Sequence, residues 1–241
     1  MESNMFYLSQ EQKLIKGMDK FLKPIKPELV SKFGKEGANE IRVQALKEFE
    51  KLIPQFPYIG GKDNNLTSNL IKASWGLALY LVLDGYGYDV EEVGELIHLS
   101  LERQLKKMPL FIRRLMGKTI FSKRNLIKMK KRAEDSQQKK YPGDWVWEIF
   151  EGDGKAYDVG IDYTECGIVK FMRSQNADEL IPYLCNLDYV LFEALGLELH
   201  RTKNLAWGCD CCNFRIKKNG TPPKAWPPKF VERSCGIEED I

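Results

Sequence analysis

The stretch that decides the fold is residues 142–154, which read PGDWVWEIFEGDG. Its opening proline, glycine and aspartate are typical of a chain break that ends a preceding helix. An apolar run rich in β-favouring residues follows at 146–150, and the glycine–aspartate–glycine at 152–154 indicates a hairpin turn. The chain therefore changes here from helix to strand, and we predict β-structure only from this point onward.

Upstream of this stretch, apolar residues recur at helical spacing. The pattern predicts helices over residues 10–21, 37–52, 69–83 and 90–107, and a basic helical segment over 111–141. Ser9 is the expected N-cap of the first helix, and Pro24 and Pro27 are expected to break the pattern after it. The first 141 residues are thus predicted to be a helical part.

Downstream, short segments alternate between the two kinds of structure. We predict a second strand that runs into a helix, formed by 157–160 and 164–171, then a helix over 177–195 and two further strands over 197–206 and 212–217. The fold class is therefore α+β, with a helical N-terminal part (1–141) packed on a small, mainly antiparallel sheet. That sheet belongs to a cysteine-rich α+β part (142–241), and we expect the two parts to share one core.

Composition excludes several classes of protein. The 241 residues are 43% hydrophobic and carry a net charge of only +3, which argues against disorder and gives no reason to expect nucleic acid or a membrane as a partner. No apolar run reaches the roughly 20 residues needed to cross a bilayer. The start of the sequence has no signal-peptide pattern, so we predict a cytoplasmic protein with a small-molecule partner, and leave the oligomeric state open.

Cysteine usage is the most distinctive feature of the chain. All six cysteines lie in the last third, at positions 166, 185, 209, 211, 212 and 235. A secreted disulfide scaffold is usually small and spreads its cysteines along the chain, whereas here a long cysteine-free segment comes first. We therefore predict reduced thiols and no structural disulfide.

The densest cluster is residues 208–215, GCDCCNFR. Thiolate zinc sites usually use two pairs with two to four residues between the members of each pair, and the spacing here does not fit that pattern. Buried strand cysteines are the more ordinary interpretation, since free cysteine is among the most buried residue types. We predict no metal and no cofactor.

Two further groups of residues could carry chemistry. Cys166 ends a polar lead, and Cys185 and Asp188 are three residues apart, hence on one face of the predicted helix. A nucleophilic thiol needs a cation or a helix N-terminus to favour its thiolate. Of the two histidines, His98 is interpreted as structural. His200 is a weak candidate for a general base.

A family resemblance enters at the C-terminal third. The run R-T-x-x-L-A-x-G at 201–208, followed by C-N-F-R at 212–215, resembles the signature of the L-2-amino-thiazoline-4-carboxylic acid hydrolase family. Cys166 and the Cys185-x-x-Asp188 element are similar to its upstream elements, so that the resemblance spans about residues 65–218. Asn213 stands where the family tends to have aspartate, and an amide cannot act as a carboxylate base.

The resemblance implies a hydrolase of a small heterocycle, acting on the carbon–nitrogen system of a cyclic amidine such as a thiazoline and releasing an N-carbamoyl amino acid. Such chemistry requires a nucleophile, a proton donor and a cation for the substrate carboxylate. On this basis the expected catalytic residues are Cys166, Asp188 and Cys212. The expected substrate-binding residues are Arg201, Arg215 and Cys185.

Two other hypotheses compete with the hydrolase. One is a non-catalytic small-molecule or metal-binding module that uses the thiols as a sensor, and it predicts three or four thiols within metal-ligand distance. The other is a helical interaction protein that uses the basic segment 123–140, for which a solvated helix face is the more ordinary interpretation.

Overall fold

The computed structural model describes residues 2–222, 224–228 and 235. In this part of the chain there are nine α-helices: α1 Glu2–Leu8, α2 Glu11–Leu22, α3 Lys26–Leu52, α4 Thr67–Asp84, α5 Val90–Lys106, α6 Leu110–Ile120, α7 Lys123–Ser136, α8 Gly167–Ser174 and α9 Ile181–Leu195. Four strands follow α7, two before α8 and two after α9: β1 Val146–Glu151, β2 Val159–Glu165, β3 Leu197–His200 and β4 Cys212–Lys218. The first seven helices all precede the first strand.

The four strands form one antiparallel sheet in the order β1-β2-β4-β3. The hairpin of β1 and β2 comes from the stretch that begins at Pro142, and β4 enters beside β2 after a long connection through α8, α9 and β3. The predicted α+β class, with a helical N-terminal part and a small antiparallel sheet, is confirmed. In the described part of the chain no helix has the length and apolarity needed to span a bilayer.

Several predicted elements differ from the structure. Gln10 rather than Ser9 is the N-cap of α2, and the helix predicted from residue 37 begins at Lys26, with Pro27 in its first turn. The basic segment forms two helices, because Ser122 interrupts it in an extended conformation and caps α7 by accepting a hydrogen bond from the Asn125 N–H. The strand predicted over 197–206 ends at His200. From there the chain leaves the sheet and makes a short 3-10 turn, Leu205–Trp207, before β4 begins.

One continuous set of buried side chains links the helical part to the sheet part. Phe56, which follows α3, packs edge-on against Phe171 of α8 with ring centroids 5.4 Å apart. Helix α9 lies against α5 at a point where α5 has Gly94, and a Cβ there would come within 2.3 Å of the Tyr183 ring. Close packing on α5 fixes the position of α9 in the fold. The division of the chain at residue 141 into a helical part and an α+β part stays a proposal.

Candidate functional site

The inner face of the sheet forms one wall of the site. Cys212, Phe214 and Ile216 are buried and alternate with partly exposed neighbours along β4, so that their side chains point into the protein. Tyr163 of β2 pairs directly with Cys212 and therefore shares that face. The Tyr163 ring also contacts Phe214, at 5.3 Å between centroids. Cys212 is thereby placed at the inner edge of an aromatic surface.

Cys166 lies between the end of β2 and the start of α8, where it is the N-cap residue. The first backbone N–H groups of the helix, those of Ile168 and Val169, favour its thiolate. Burial outweighs them: together with nearby Cys185 and Asp188 it raises the pKa of the Cys166 thiol to about 12. Cys166 is therefore a protonated thiol at neutral pH, and it remains partly accessible to solvent.

An ion pair between a helix and a loop stands at the centre of the site. Asp188 of α9 accepts a hydrogen bond from Arg201 Nη1 at 3.1 Å, and Arg201 Nη2 donates to the Cys185 carbonyl at 2.8 Å. The guanidinium carbon lies 5.1 Å from the ring centroids of both Tyr189 and Phe214. The side chain of Arg201 is only 1% exposed to solvent. Both of these donors are directed at α9, to Asp188 and to the Cys185 carbonyl, so that Arg201 holds the carboxylate in place.

Asp188 is both deep in the fold and open to water. Burial raises the pKa of its carboxyl, although the Arg201 guanidinium acts in the opposite direction. The side chain nevertheless keeps 39% of its surface exposed. The carboxylate of Asp188 is therefore desolvated enough to disfavour its charged form and is still reached by solvent. Cys166 and Cys185, which are also partly accessible, face the same carboxylate closely enough for it to raise both of their pKa values.

Asn204 connects two of the thiols. Its side chain is completely buried, and its Oδ1 accepts hydrogen bonds from Cys212 Sγ at 3.4 Å and from Cys185 Sγ at 3.7 Å. The same oxygen accepts from the Ala206 N–H. Asn204 Nδ2 is buried and has no hydrogen-bond partner among the described residues. A buried amide donor without a partner is costly, so it is a natural contact for a bound ligand.

Sequence reasoning missed Asn204 and Tyr163. The asparagine follows Arg201 by three residues in a stretch that was expected to be strand, and a strand would have given it no special position. Tyr163 could have been found from its place in β2, since strand alternation puts it on the same face as Ile161. Burial, Asp188 and the two thiols Cys166 and Cys212 all raise the pKa of Tyr163, which places its ring among these groups.

The residue that departs from the family signature has a structural position. Asn213 Oδ1 accepts hydrogen bonds from the backbone N–H groups of Thr202 and Lys203, at 2.9 and 2.6 Å. Its Nδ2 donates to the Thr202 hydroxyl. Asn213 points away from Cys212, as its neighbour on a strand must. It holds the start of the loop that carries Arg201 and Asn204. It takes no part in the group of Cys166, Cys185 and Cys212 around Asp188 and Arg201, which we call the thiol cluster.

Three other expected or considered residues are not brought into the cluster. Arg215 lies on the outer face of β4 and makes a two-point ion pair with Asp162, with Nη1–Oδ1 at 2.6 Å. His200 is on the outer face of β3 and pairs with Glu198. His98 is buried on α5 beside the Trp226 ring, and burial lowers its pKa. The site therefore combines Cys166, Cys185, Asp188, Arg201 and Cys212 of the predicted residues, but not Arg215.

The prediction that all thiols are free is wrong for one pair. Cys209 and Cys235 form a disulfide, with their Cα atoms 5.2 Å apart. Spacing along the chain could not reveal this pair, because the two cysteines are 26 residues apart and meet only when the chain after β4 returns to the turn at Gly208. Since disulfides persist mainly in oxidising compartments, the support that reduced thiols lent to a cytoplasmic location is withdrawn. The location itself stays a prediction.

Thiol counting tests this pairing. In freshly prepared protein unfolded without reductant, we expect four free thiols, those of Cys166, Cys185, Cys211 and Cys212. Removing the cross-link in a Cys235→Ser variant should lower the free energy of unfolding by about 3 kcal/mol, because the unfolded chain gains the freedom of an open loop. Urea unfolding measures this, with Cys211→Ser as the matched control. Six titrating thiols would contradict the disulfide.

Two clefts elsewhere on the surface are less suitable as reaction sites. A cleft of about 460 Å³ between α7 and the β1–β2 hairpin is lined by three lysines, of which Lys130 pairs with Glu151 and Lys218 with Asp158, while Lys123 makes no ion pair with a described residue. A second cleft of about 370 Å³, between the loop around Asn64 and the end of α7, contains no cysteine. Within residues 2–222, 224–228 and 235, no group of three or more His, Cys, Asp or Glu side chains is placed to hold a metal ion.

Comparison with known proteins agrees with the resemblance in the sequence. Residues 77–216 match the family model described as L-2-amino-thiazoline-4-carboxylic acid hydrolase. The matched region is more than half of the chain, and it contains every residue of the thiol cluster but not Cys235. No curated protein and no solved structure matches the chain.

Proposed function

The chain belongs to the L-2-amino-thiazoline-4-carboxylic acid hydrolase family, and from this premise we propose that it opens the ring of a small cyclic amidine such as a 2-amino-thiazoline. The observation that carries the proposal is the carboxylate of Asp188, which is held by the buried Arg201, stays open to solvent and faces the thiols Cys166 and Cys185. A carboxylate and a thiol side by side suit an amidine, which has both a cationic N–H edge and an electrophilic carbon.

The product defines which bond must break. An N-carbamoyl amino acid keeps both nitrogens of the amidine on the former ring carbon and adds one oxygen from water. For a 2-amino-thiazoline, the bond that breaks is therefore the one between the ring carbon and the ring sulfur, and the amino acid is released with a free thiol. The enzyme must present a nucleophile to that carbon and supply a proton for the departing sulfur.

Asp188 is assigned to the amidine of the substrate. A protonated amidine offers two N–H groups in a planar fork, and a carboxylate can accept both. Arg201 lies behind the carboxylate and is almost completely buried, so it acts as a positioning residue for Asp188 rather than as the cation for the substrate carboxylate. Arg215 is withdrawn from substrate binding, because its guanidinium is engaged by Asp162 on the other face of the sheet.

Cys166 is preferred to Cys212 as the nucleophile. Cys166 is partly accessible and sits at the N-terminus of α8, whose N–H groups favour a thiolate. Cys212 is buried, and its sulfur already accepts a hydrogen bond from the Leu205 N–H at 3.2 Å. Because the pKa of Cys166 is raised to about 12, its proton has to leave during attack. The ionised Asp188 carboxylate, which faces Cys166, can take it.

The reaction then proceeds in two balanced steps. Cys166 Sγ forms a bond to the ring carbon as its proton passes to the Asp188 carboxylate. The bond between the ring carbon and the ring sulfur then breaks, and Asp188 gives this proton to the departing sulfur. This leaves the amidine carbon attached to Cys166. Water next adds to this carbon, the bond to Cys166 Sγ breaks, the thiol regains a proton, and the N-carbamoyl amino acid leaves.

Asn204 and Cys185 complete the proposed site. The unpartnered Nδ2 of Asn204 is suited to donate to the oxygen that water contributes in the second step, or to an amidine nitrogen before it. Its Oδ1 accepts hydrogen bonds from Cys185 and Cys212 and so orients both thiols. We expect these thiols to limit the space left for the substrate. Cys185 is thus expected to line the site, in agreement with its assignment as a substrate-binding residue.

A substrate panel tests the proposal directly. Purified protein is incubated with L-2-amino-thiazoline-4-carboxylate, with its oxygen-ring analogue and with cyclic amidines that lack a ring heteroatom. Mass spectrometry should detect the gain of one water, and a thiol reagent should detect one new thiol for each thiazoline opened. Turnover by wild-type protein that is lost in Asp188→Asn supports the function. No turnover of any member of the panel would reject it.

The pH dependence offers a second test. Asp188 has to be ionised to bind the amidine, so activity should be present above its pKa and lost as the pH falls through it. Since burial raises that pKa, the acid limb of kcat/KM should lie above the range of an ordinary aspartate, whose pKa is about 3.9. An acid limb at or below that range would contradict the assignment of Asp188.

A further inference from the structure

Helix α6 presents its apolar side to solvent. Five of its eleven residues are exposed large hydrophobic side chains: Leu110, Phe111, Ile112, Leu115 and Met116. Phe111 is 73% exposed and Leu115 is 61% exposed, and the two lie one turn apart on the same side of the helix. An apolar helix face normally packs on the core, so this orientation is the reverse of the usual one.

The inward side of α6 explains the reversal. Gly117 is buried, and a Cβ at this position would come within 2.6 Å of the Leu195 carbonyl at the end of α9. The helix therefore contacts α9 through its glycine side, which leaves the apolar residues on the outside. Exposed groups of this size on one element mark an interaction site.

The charge around this apolar side has one sign. Residues 106–132 contain eleven lysines and arginines and no aspartate or glutamate, whereas the whole chain has a net charge of only +3. Two of the eleven make ion pairs with acids outside the segment, Lys106 with Glu102 and Lys130 with Glu151. The other nine have no acidic partner in the described part of the protein. The overall charge is nearly balanced and gave no reason to expect a membrane, but the positive charge is concentrated in residues 106–132.

We propose that α6 and α7 dock on an anionic lipid surface, with Phe111 and Leu115 inserted among the headgroups and the surrounding lysines and arginines against lipid phosphates. An exposed apolar stripe flanked by basic side chains is the pattern of a helix that lies in the membrane interface. Basic residues close to an anionic leaflet each add attraction that falls off within a Debye length. The helices lie on the surface and do not cross the bilayer.

A second copy of the chain is a poorer occupant of this surface. A symmetric dimer through α6 and α7 would bring the eleven basic residues of one copy against the same residues of the other, with no acids in the segment to compensate. An acidic protein would satisfy the charge, but the protruding and separate side chains of Phe111 and Leu115 would each need a matching pocket. A lipid interface accepts them without one.

Vesicle sedimentation with the full chain tests the proposal. Wild-type protein should pellet with phosphatidylcholine vesicles that contain phosphatidylserine and stay in solution with phosphatidylcholine alone. Added salt should release it, because the charge interaction is screened. We expect the Phe111→Ser/Leu115→Ser variant to bind about tenfold or more weakly. The Lys123→Gln/Lys128→Gln/Lys131→Gln variant should show a loss of about tenfold or more as well.

Matched controls remove the same groups elsewhere. Met5→Ser/Leu8→Ser takes two exposed apolar side chains from α1, and Lys13→Gln/Lys16→Gln/Lys20→Gln takes three exposed charges from α2. Both controls should bind like wild type. The proposal is overturned if the protein binds vesicles equally well with and without phosphatidylserine. It is overturned as well if the Lys13→Gln/Lys16→Gln/Lys20→Gln variant loses as much binding as the α7 variant. It is also overturned if the protein avoids vesicles and instead forms a dimer that Phe111→Ser/Leu115→Ser disrupts, or binds only an acidic protein.

Discussion

Replacing Cys166 by serine is expected to lower kcat on an opened substrate by on the order of a thousandfold or more, while the melting temperature stays nearly unchanged. A serine hydroxyl has almost the same size as the thiol, so the packing at the start of α8 is kept, but the hydroxyl is a far weaker nucleophile because its proton is much harder to remove. Steady-state kinetics with thiol release as the signal measures the loss.

The matched control for this experiment is Cys211→Ser. Cys211 is a free cysteine next to Cys212, but its thiol faces Asp162 and Asp210 on the outer side of the sheet. This variant should keep wild-type activity. Intact-mass analysis during turnover should also show a substrate adduct on the wild-type protein that is absent in Cys166→Ser. If Cys212→Ser loses activity and Cys166→Ser does not, the nucleophile is Cys212. If neither matters and only Asp188→Asn is inactive, water attacks directly.

The second large effect is expected from Arg201. In an Arg201→Met variant the hydrophobic stem can still pack between Tyr189 and Phe214, but Asp188 and the Cys185 carbonyl lose their donor. Removing one partner of a buried pair costs about 3–5 kcal/mol, and we expect the lower end of that range because Asp188 can be hydrated from its open side. Urea unfolding gives the stability, and kcat/KM should fall as well.

Arg215→Met is the control, because Arg215 also makes a two-point ion pair with an aspartate but on the outer face and with a quarter of its side chain exposed. It should cost only about 1 kcal/mol, in line with a partly exposed pair, and leave KM unchanged. The positioning role of Arg201 would be refuted if Arg201→Met changed KM alone with the acid limb of the pH profile unmoved. An Arg201→Lys variant that restores stability without restoring that limb would support it, since only the planar fork holds both acceptors.

Several parts of this protein could be predicted from local sequence patterns. The periodicity of 37–52 and 69–83 and the break at Pro142 have a local cause, because a helix or a hairpin turn depends mainly on neighbouring residues. The family resemblance depended on short words and their order, and the match over 77–216 confirms it. The boundary between α6 and α7 was missed, because one serine cap within a continuous basic pattern gives only a weak signal.

The site was predictable as a set of residue types but not as a geometry. Cys185 and Asp188 share a helix face by spacing alone, yet no pattern in the sequence shows that Arg201 folds back to them or that Arg215, in the same signature, turns the other way. The parity of β4 decides between these two arginines, because Cys212 points inward and every second residue follows it. Asn204 became part of the site only because β3 ends early and its loop returns to α9.

By itself, then, the sequence determined the α+β class, the family and the residues capable of chemistry, since each of these depends on local spacing and composition. Only the tertiary structure decided that Cys209 pairs with Cys235, that Arg201 serves Asp188, and that α6 turns its apolar side outward. These three features depend on contacts between residues far apart in the chain: a returning tail, a loop against α9, and the close approach of Gly117 to Leu195. Local patterns carry no information about which distant surface a side chain will meet, and the packing of the whole chain supplies it.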